Sequence, residues 1–449
     1  MEARELPAHA NLEQFKNLAN DLVKAHNTGD PEALQRITNQ FRPDRSITHD
    51  EVRKGVQRSL RKLWKSRIRR STFKLFKRLH WMLMKSLISL RGLRVSEAKF
   101  LIAHEYVFGS WQEFANHLKE MNHKDSSVSK FESAVDAVIN GDLPTLNRLL
   151  IENPGLITAR STRTHHSTLL HYVSANGVED FRQKTPKNAV EVAEILLRSG
   201  AEVNAKSDAY GGGSTTLGLT ATSVHPQVAG VQIALLKTLL HNGATIEGPR
   251  AITDCLANGR GEAAVFLAGF IPELDLEGAA GVGRLEVVKR FFNEDGGLKG
   301  NATKAQMNSG FAWACEFGRT NVVDFLLQKG MDLDTRLKHN GQTGLHWAAY
   351  GGHLEIVKLL VDRKATVNAR DESFGGTPLG WALYGWVESP PEAKAENYYD
   401  IVAVLVASGA TVDPKWIADT DRELPIPEKL HSDPKMLAAL GAGMRETTD

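Results

Sequence analysis

A glycine that closes a short helical phrase recurs through the second half of this chain at a nearly constant step. Gly283 ends LEGAAGVG, Gly318 ends FAWACEFG, Gly352 follows LHWAAYG and Gly385 ends GWALYG, at steps of 35, 34 and 33 residues. A step of this size constrains the fold more than composition does. Each period is one supersecondary unit too small to bury its own apolar face, and stacked neighbours must bury it instead. The same glycine occurs earlier as Gly141 in AVDAVING, Gly177 in LLHYVSANG and Gly259 in ITDCLANG. A further unit, Ser214-Thr-Thr-Leu-Gly-Leu-Thr-Ala221, lies between the last two, which makes eight units between about Phe131 and Asp413.

The clearest unit runs Gly341-Gln-Thr-Gly-Leu-His-Trp-Ala-Ala-Tyr-Gly-Gly-His353 and continues as LEIVKLLVDRKATVNA to Ala369. It is similar to the ankyrin repeat, with Gly344 where that pattern has proline. The next unit restores Pro378 and places Gly380 where the pattern has histidine; its second helix reads IVAVLVASGATVD, Ile401 to Asp413. The letters have physical reasons. Thr343 suits a helix N-cap, since its hydroxyl can accept from an orphan backbone N–H. Ala348 and Ala349 are small where paired helices approach closely. Gly352 suits a backbone position where a side chain would clash or φ must be positive. Ile356, Val357, Leu359 and Leu360 form the apolar stripe of the second helix. The expected fold is an all-α ankyrin-repeat solenoid of about eight helix-turn-helix units with an N-terminal helical region.

Longer phrases carry a closer resemblance. YGGGSTTLGLTATSVHP, CLANGRGEAAVFLA, GFAWACEFGRTNVVDFLL, TGLHWAAYGGH and GGTPLGWALYGW are similar to phrases of a bacterial family of ankyrin-repeat proteins with a helical N-terminal leader. The resemblance spans about residues 131 to 415. It implies an ankyrin fold without catalytic activity and supplies no ligand. The expected organisation is a helical region over 1–125, a repeat solenoid over 128–415, and a cap and tail over 416–449. Three units carry insertions between their helices, at 178–188, 223–232 and 387–397. The step from Gly259 to Gly283 is only 24 residues, so the fourth unit lacks a full finger.

The N-terminal region reads as helix pairs over 11–41 and 96–119, separated by a segment of different character. Between Val52 and Arg94 there are 15 Lys and Arg and no Asp or Glu, whereas the rest of the chain holds 40 basic and 53 acidic residues. The net charge of +2 therefore conceals a basic arm on an acidic body. Val52, Val56, Leu60, Leu63 and Trp64 recur at helical spacing. The basic patch comprises Arg53, Lys54, Arg58, Arg61, Lys62, Lys65, Arg67, Arg69, Arg70, Lys74, Lys77 and Arg78. Such a helix suits phosphates of nucleic acid or the headgroups of an anionic membrane surface. A helical hairpin packed against the acidic repeats explains the same letters, and both readings stay open here.

Composition excludes little else. A hydrophobic fraction of 42% and a charged fraction of 24% are those of an ordinary globular protein. Two cysteines, Cys255 and Cys315, make no disulfide framework. The polar opening MEARELPAHANLEQFK has no secretory core, and the apolar stretch Trp81 to Leu90 is short and interrupted by Lys85, so a soluble, cytoplasmic protein is expected. His171, His346 and His353 occupy positions where the repeat uses histidine for internal hydrogen bonds. Gly211-Gly-Gly-Ser-Thr-Thr lacks the lysine and spacing of a phosphate loop. No cysteine offers zinc spacing, and no catalytic triad or carboxylate pair stands out. Neither an enzyme activity, a metal nor a cofactor is expected.

The expected activity is protein-protein interaction through the concave and finger face. The non-consensus residues there are Glu316, Phe317 and Arg319 in one unit, then His339, Asn340, Gln342 and Tyr350, then Ser373, Phe374, Tyr384 and Trp386. Aromatic side chains grouped with arginine have the composition of interface hot spots. Trp313, Trp347 and Trp381 read as packing.

Overall fold

A computed structural model describes residues 4–7, 10–41, 47–68, 92–336, 341–390, 393–412 and 426–441. Among them, strand is limited to one two-residue antiparallel ladder, Lys206–Ser207 with Ser214–Thr215, and an isolated bridge between Phe292 and Leu298. The rest of the regular structure is helix, as an all-α repeat protein requires. No helix among the described residues is long and apolar enough to cross a membrane. The chain forms two bodies, residues 1–245 and 246–449.

The first body opens with helices Leu12–Thr28, Pro31–Phe41, His49–Ile68, Val95–Glu105 and Trp111–Met121. Asn11 starts the first of these. Its side chain accepts the Gln14 N–H at 2.9 Å, and Gln14 Oε1 accepts the Asn11 N–H at 3.3 Å, a reciprocal capping box. Pro31, placed at the first helical position with its φ already suitable, begins the second. Phe15 is the hub of the core, edge-on to Phe114 at 4.9 Å and to Tyr106 at 5.3 Å. The basic segment is rooted in this bundle at both ends. His49 Nε2 lies 2.9 Å from the carbonyl of His26. The Asn27 amide both donates to the Leu93 carbonyl at 2.9 Å and accepts its N–H at 2.7 Å. Val52 and Val56 are buried in the bundle core.

Three repeat pairs complete this body: Ser127–Asn140 with Leu143–Glu152, Leu169–Tyr172 with Ala189–Arg198, and Thr216–Thr222 with Gln232–His241. The insertion at 178–188 is folded inward. Its Glu179 and Arg182 join Glu132 and Arg163 in a buried ion network. Arg163 Nη1 lies 2.6 Å from Glu132 Oε1 and its Nε lies 2.7 Å from Glu179 Oε1. Arg182 bonds the other Glu132 oxygen and reaches Asp136 at 2.9 Å. Burial alone would raise the Glu132 carboxyl, but the two guanidinium groups outweigh it and hold it at about 2.

The second body holds five pairs: Arg250–Ala257 with Gly261–Ala268, Leu276–Gly281 with Leu285–Lys289, Lys304–Glu316 with Thr320–Gln328, Gly344–Tyr350 with Leu354–Asp362, and Pro378–Glu388 with Asn397–Ala407. Helices Ile426–His431 and Pro434–Gly441 follow, burying Met436 and Leu440. In the clearest unit Ile356, Val357 and Leu360 are fully buried, whereas Leu359, expected in the same stripe, is only partly covered.

The recurring glycine turns out to be two different glycines. Gly352 has φ +73°, in the left-handed region, and ends its helix there. Gly385 is helix interior, and its helix runs on to Glu388, where Ser389 takes the left-handed position at φ +49°. Counting from Thr343 and Thr377, the partner of Gly385 is Gly351, and that of Gly352 is Trp386. Gly351 and Gly385 are there for room. A Cβ on Gly351 would lie 2.4 Å from the Glu316 carbonyl oxygen, and one on Gly385 would lie 2.4 Å from that of Tyr350.

Candidate functional site: an aromatic ladder on the first helices

The helix Gly344–Tyr350 is fixed at its start by Thr343 and His346. His346 Nδ1 accepts the Thr343 N–H at 3.0 Å, so the ring proton sits on Nε2, which donates to the Gly376 carbonyl at 3.2 Å. Histidine thus takes the place of the usual Glu or Gln in a capping box and ties one unit to the finger of the next. His171 repeats the device, with the Thr168 N–H on Nδ1 at 3.1 Å and the Ser214 carbonyl 3.3 Å from Nε2. Burial lowers the His346 pKa and brings that of His171 down to about 4, so both rings stay neutral at physiological pH. His353 Nε2 lies 2.6 Å from the Glu316 carbonyl. These rings are used up in joining repeats.

On the first helices of three consecutive units, the residue after the position that His346 fills, occupied by Ala312 and Gly380 in its neighbours, is tryptophan. Trp313 and Trp347 have ring centroids 6.4 Å apart, and Trp347 and Trp381 are 5.4 Å apart. Tyr350 packs edge-on against Trp381 at 5.8 Å and stacks on Tyr384 at 6.1 Å with planes 20° apart. All five rings keep some solvent exposure, and Tyr384 is 41% exposed. The tryptophans are therefore packing and surface at once.

Carboxylates border the rings. The Trp313 N–H donates to Glu277 at 2.9 Å and the Trp381 N–H to Asp371 at 3.0 Å. The Trp347 indole N–H is buried and finds no acceptor among the described residues. Asp371 also receives the backbone N–H groups of Ser373, Phe374 and Gly376 at 2.7–2.9 Å. Burial alone would raise its carboxyl, but these donors outweigh it and hold the group below the usual carboxylate range. The finger built this way presents Phe374 with 81% of its surface exposed. Burial, helped by Glu316, Tyr384 and Glu388, pushes the Tyr350 hydroxyl up to about 12.

The residues expected to bind a partner divide into three groups. Tyr350 and Tyr384 stack on the ladder, Ser373 and Phe374 are exposed on the finger, and Glu316 and Arg319 are partly exposed. Phe317, Gln342 and Trp386 are buried, at 7%, 1% and 3% exposure, so their side chains belong to the interior. Trp386 is covered because the Lys429 ammonium lies over its ring, 4.5 Å from the centroid. His339 and Asn340 lie outside the described residues. Of the basic patch, Arg53, Lys54 and Arg58 are exposed on the helix His49–Ile68, and Lys54 pairs with Asp50 at 2.7 Å. Arg61, Lys62, Lys65 and Arg67 continue that helix in sequence, with side chains that are not described. Arg69, Arg70, Lys74, Lys77 and Arg78 lie outside the described residues. Sequence reasoning missed Glu277, Glu388 and Asp371; Glu388, one helical turn after Tyr384, carried a local signal, whereas Glu277 meets Trp313 across 36 positions.

The family model for three copies of the ankyrin repeat matches residues 276–371 and, overlapping them, 311–415. No curated protein matches the chain. The His346 and His171 bridges, the left-handed turn at Gly352 and the matched residues agree: this chain is an ankyrin-repeat domain-containing protein.

Proposed function

We propose that this chain is a non-catalytic scaffold that binds a protein partner on the first helices and fingers of residues 304–388. Ankyrin repeats are generally protein-protein interaction modules. The observation that carries the reading is the exposed ring surface of Tyr350, Phe374 and Tyr384 beside the tryptophan ladder. Aromatic surface held rigidly by a scaffold is the usual composition of an interface hot spot. The test is chemical crosslinking in native extract with the full chain and with Tyr350, Phe374 and Tyr384 replaced together by alanine. The variant is expected to keep its helicity and lose its crosslinked partners. Unchanged crosslinking would place the partner elsewhere.

A second reading concerns the basic segment. Val52 and Val56 root its helix in the N-terminal bundle while Arg53, Lys54 and Arg58 face solvent. An anchored helix with an exposed basic side is suited to the phosphates of nucleic acid or of an anionic membrane surface. Salt dependence of binding tests it.

A further inference from the structure

The face between Trp313 and Glu388 joins two features that favour one kind of ligand, and this step rests on the scaffold reading above. The first feature is ring surface. Trp347, Tyr350, Trp381 and Tyr384 form a connected array, and the outermost ring, Tyr384, is 41% exposed. Aromatic faces are negative at the centre and attract cations.

The second feature is charge. Glu388 follows Tyr384 by one helical turn and so shares its side of the helix Pro378–Glu388. That helix ends there, and its terminal carbonyls add negative partial charge. Glu316 occupies the repeat position that Tyr350 and Tyr384 fill in the following units, and both Glu316 and Glu388 act on the Tyr350 hydroxyl. Arg260 opposes them at that hydroxyl, and the neighbouring arginines also hydrogen-bond to backbone carbonyls. Arg319 donates to Gly281, Arg336 to Gly341 and Arg370, Arg370 to Gly375, and Arg260 to Asn258.

We propose that this face takes an arginine-bearing segment of a partner protein, with a guanidinium plane stacked on the open side of Tyr384 and its N–H donors on Glu388. Arginine fits better than lysine because a planar fork can stack on the ring and pair with a carboxylate at once, whereas an ammonium is a point charge that holds its water more tightly.

The test uses the full chain and a short capped peptide alternating serine and arginine, with versions carrying lysine, neutral citrulline or glutamate. Binding is read from tryptophan emission at about physiological ionic strength, where long-range attraction between exposed charges is screened. The arginine peptide should saturate the signal, and the citrulline peptide should bind at least about tenfold more weakly. Tyr384→Ala should weaken arginine binding about fivefold, Tyr384→Phe should restore it, and Glu388→Gln should weaken it about tenfold. Equal binding of the arginine and citrulline peptides, or an unaltered affinity in Tyr384→Ala, overturns the proposal. So does a dimer of the free chain that Tyr384→Ala dissociates, since a second copy would then own the face. The crosslinking experiment separates this failure from that of the scaffold reading. Loss of crosslinks in the triple alanine variant without arginine preference rejects arginine alone; retained crosslinks reject the face.

Discussion

Arg163 pairs with Glu132 at 2.6 Å inside the first body, with side chains only 5% and 4% exposed. Arg182 holds the other oxygen of the same carboxylate, and Glu179 lies between the two guanidinium groups. Two acids and two bases are thereby desolvated together, so each charge depends on the others. Removing one partner strands a buried charge, which typically costs about 3–5 kcal/mol, far more than an exposed ion pair contributes.

Arg163→Met should therefore lower the unfolding free energy of the first body by roughly that amount, about 3–5 kcal/mol, read from urea melts. Acid should act through the same group. The folded Glu132 carboxyl sits at about 2 against an ordinary 4.5, so its contribution is complete above 4.5 and is lost as pH falls toward 2. Glu179, also lowered by the guanidinium groups against its burial, shifts in the same sense. Melting temperature should fall steeply over that window in the native protein. An Arg163→Met protein as stable as the native one would show that the network contributes nothing.

Leu360 and Leu359 should respond very differently to the same change. Leu360 is fully buried and Leu359 is partly covered. Leu360→Asp places an unpaired carboxylate in the stack and should unfold the unit, whereas Leu359→Asp leaves the charge a route to water. Gly385→Ala should cost about 1–3 kcal/mol by overpacking, since its Cβ meets the Tyr350 carbonyl at 2.4 Å. Circular dichroism melts of the three variants check the order. Equal effects at 359 and 360 would contradict the burial pattern.

How much of this was legible depends on range. The period placed the helix pairs because each is a local element whose stripe, cap and turn lie within one unit. It misread Gly385 because a glycine kept for room and a glycine kept for positive φ are the same letter, one position apart in register. Phe317, Gln342 and Trp386 looked like free positions because they depart from the repeat pattern. The fold turns them inward, and Trp386 lies under Lys429 from the C-terminal helices. The ion network left no local trace. Glu132 meets Arg163 and Arg182 across 31 and 50 positions, and the insertion that supplies Glu179 and Arg182 read only as a longer link.

The three tryptophans offer an internal comparison of hydrogen bonding. Trp381→Phe removes a donor from Asp371 and should cost about 1–2 kcal/mol, and Trp313→Phe should cost a similar amount at Glu277. Trp347→Phe removes a buried N–H that has no acceptor among the described residues, so the desolvation penalty of that group disappears with it. It should be neutral or slightly stabilising apart from the smaller ring area. Thermal melts of the three single variants decide this, and a Trp347→Phe destabilisation as large as that at Trp381 would mean the indole has an acceptor.

The basic segment gives the last prediction. Arg53, Lys54 and Arg58 are exposed beside the buried anchors Val52 and Val56, so they can be reversed in charge without disturbing the root of the helix. The single exposed pair between Lys54 and Asp50 contributes little to stability. If the segment binds phosphates, affinity for duplex DNA or for anionic vesicles should fall linearly on logarithmic axes as salt rises, because each neutralised phosphate releases counterion. Replacing the three residues by glutamate should then flatten the slope by up to about 0.9 for each phosphate no longer neutralised, with weak dependence on DNA sequence since phosphates carry none. The melting temperature should stay unchanged. If instead the segment packs against acidic surface, the same triple variant should melt lower and show no salt-dependent binding to begin with. A native chain that ignores both DNA and anionic vesicles at low salt would reject the phosphate reading, and a lowered melting temperature in the variant would then assign the charges to the fold.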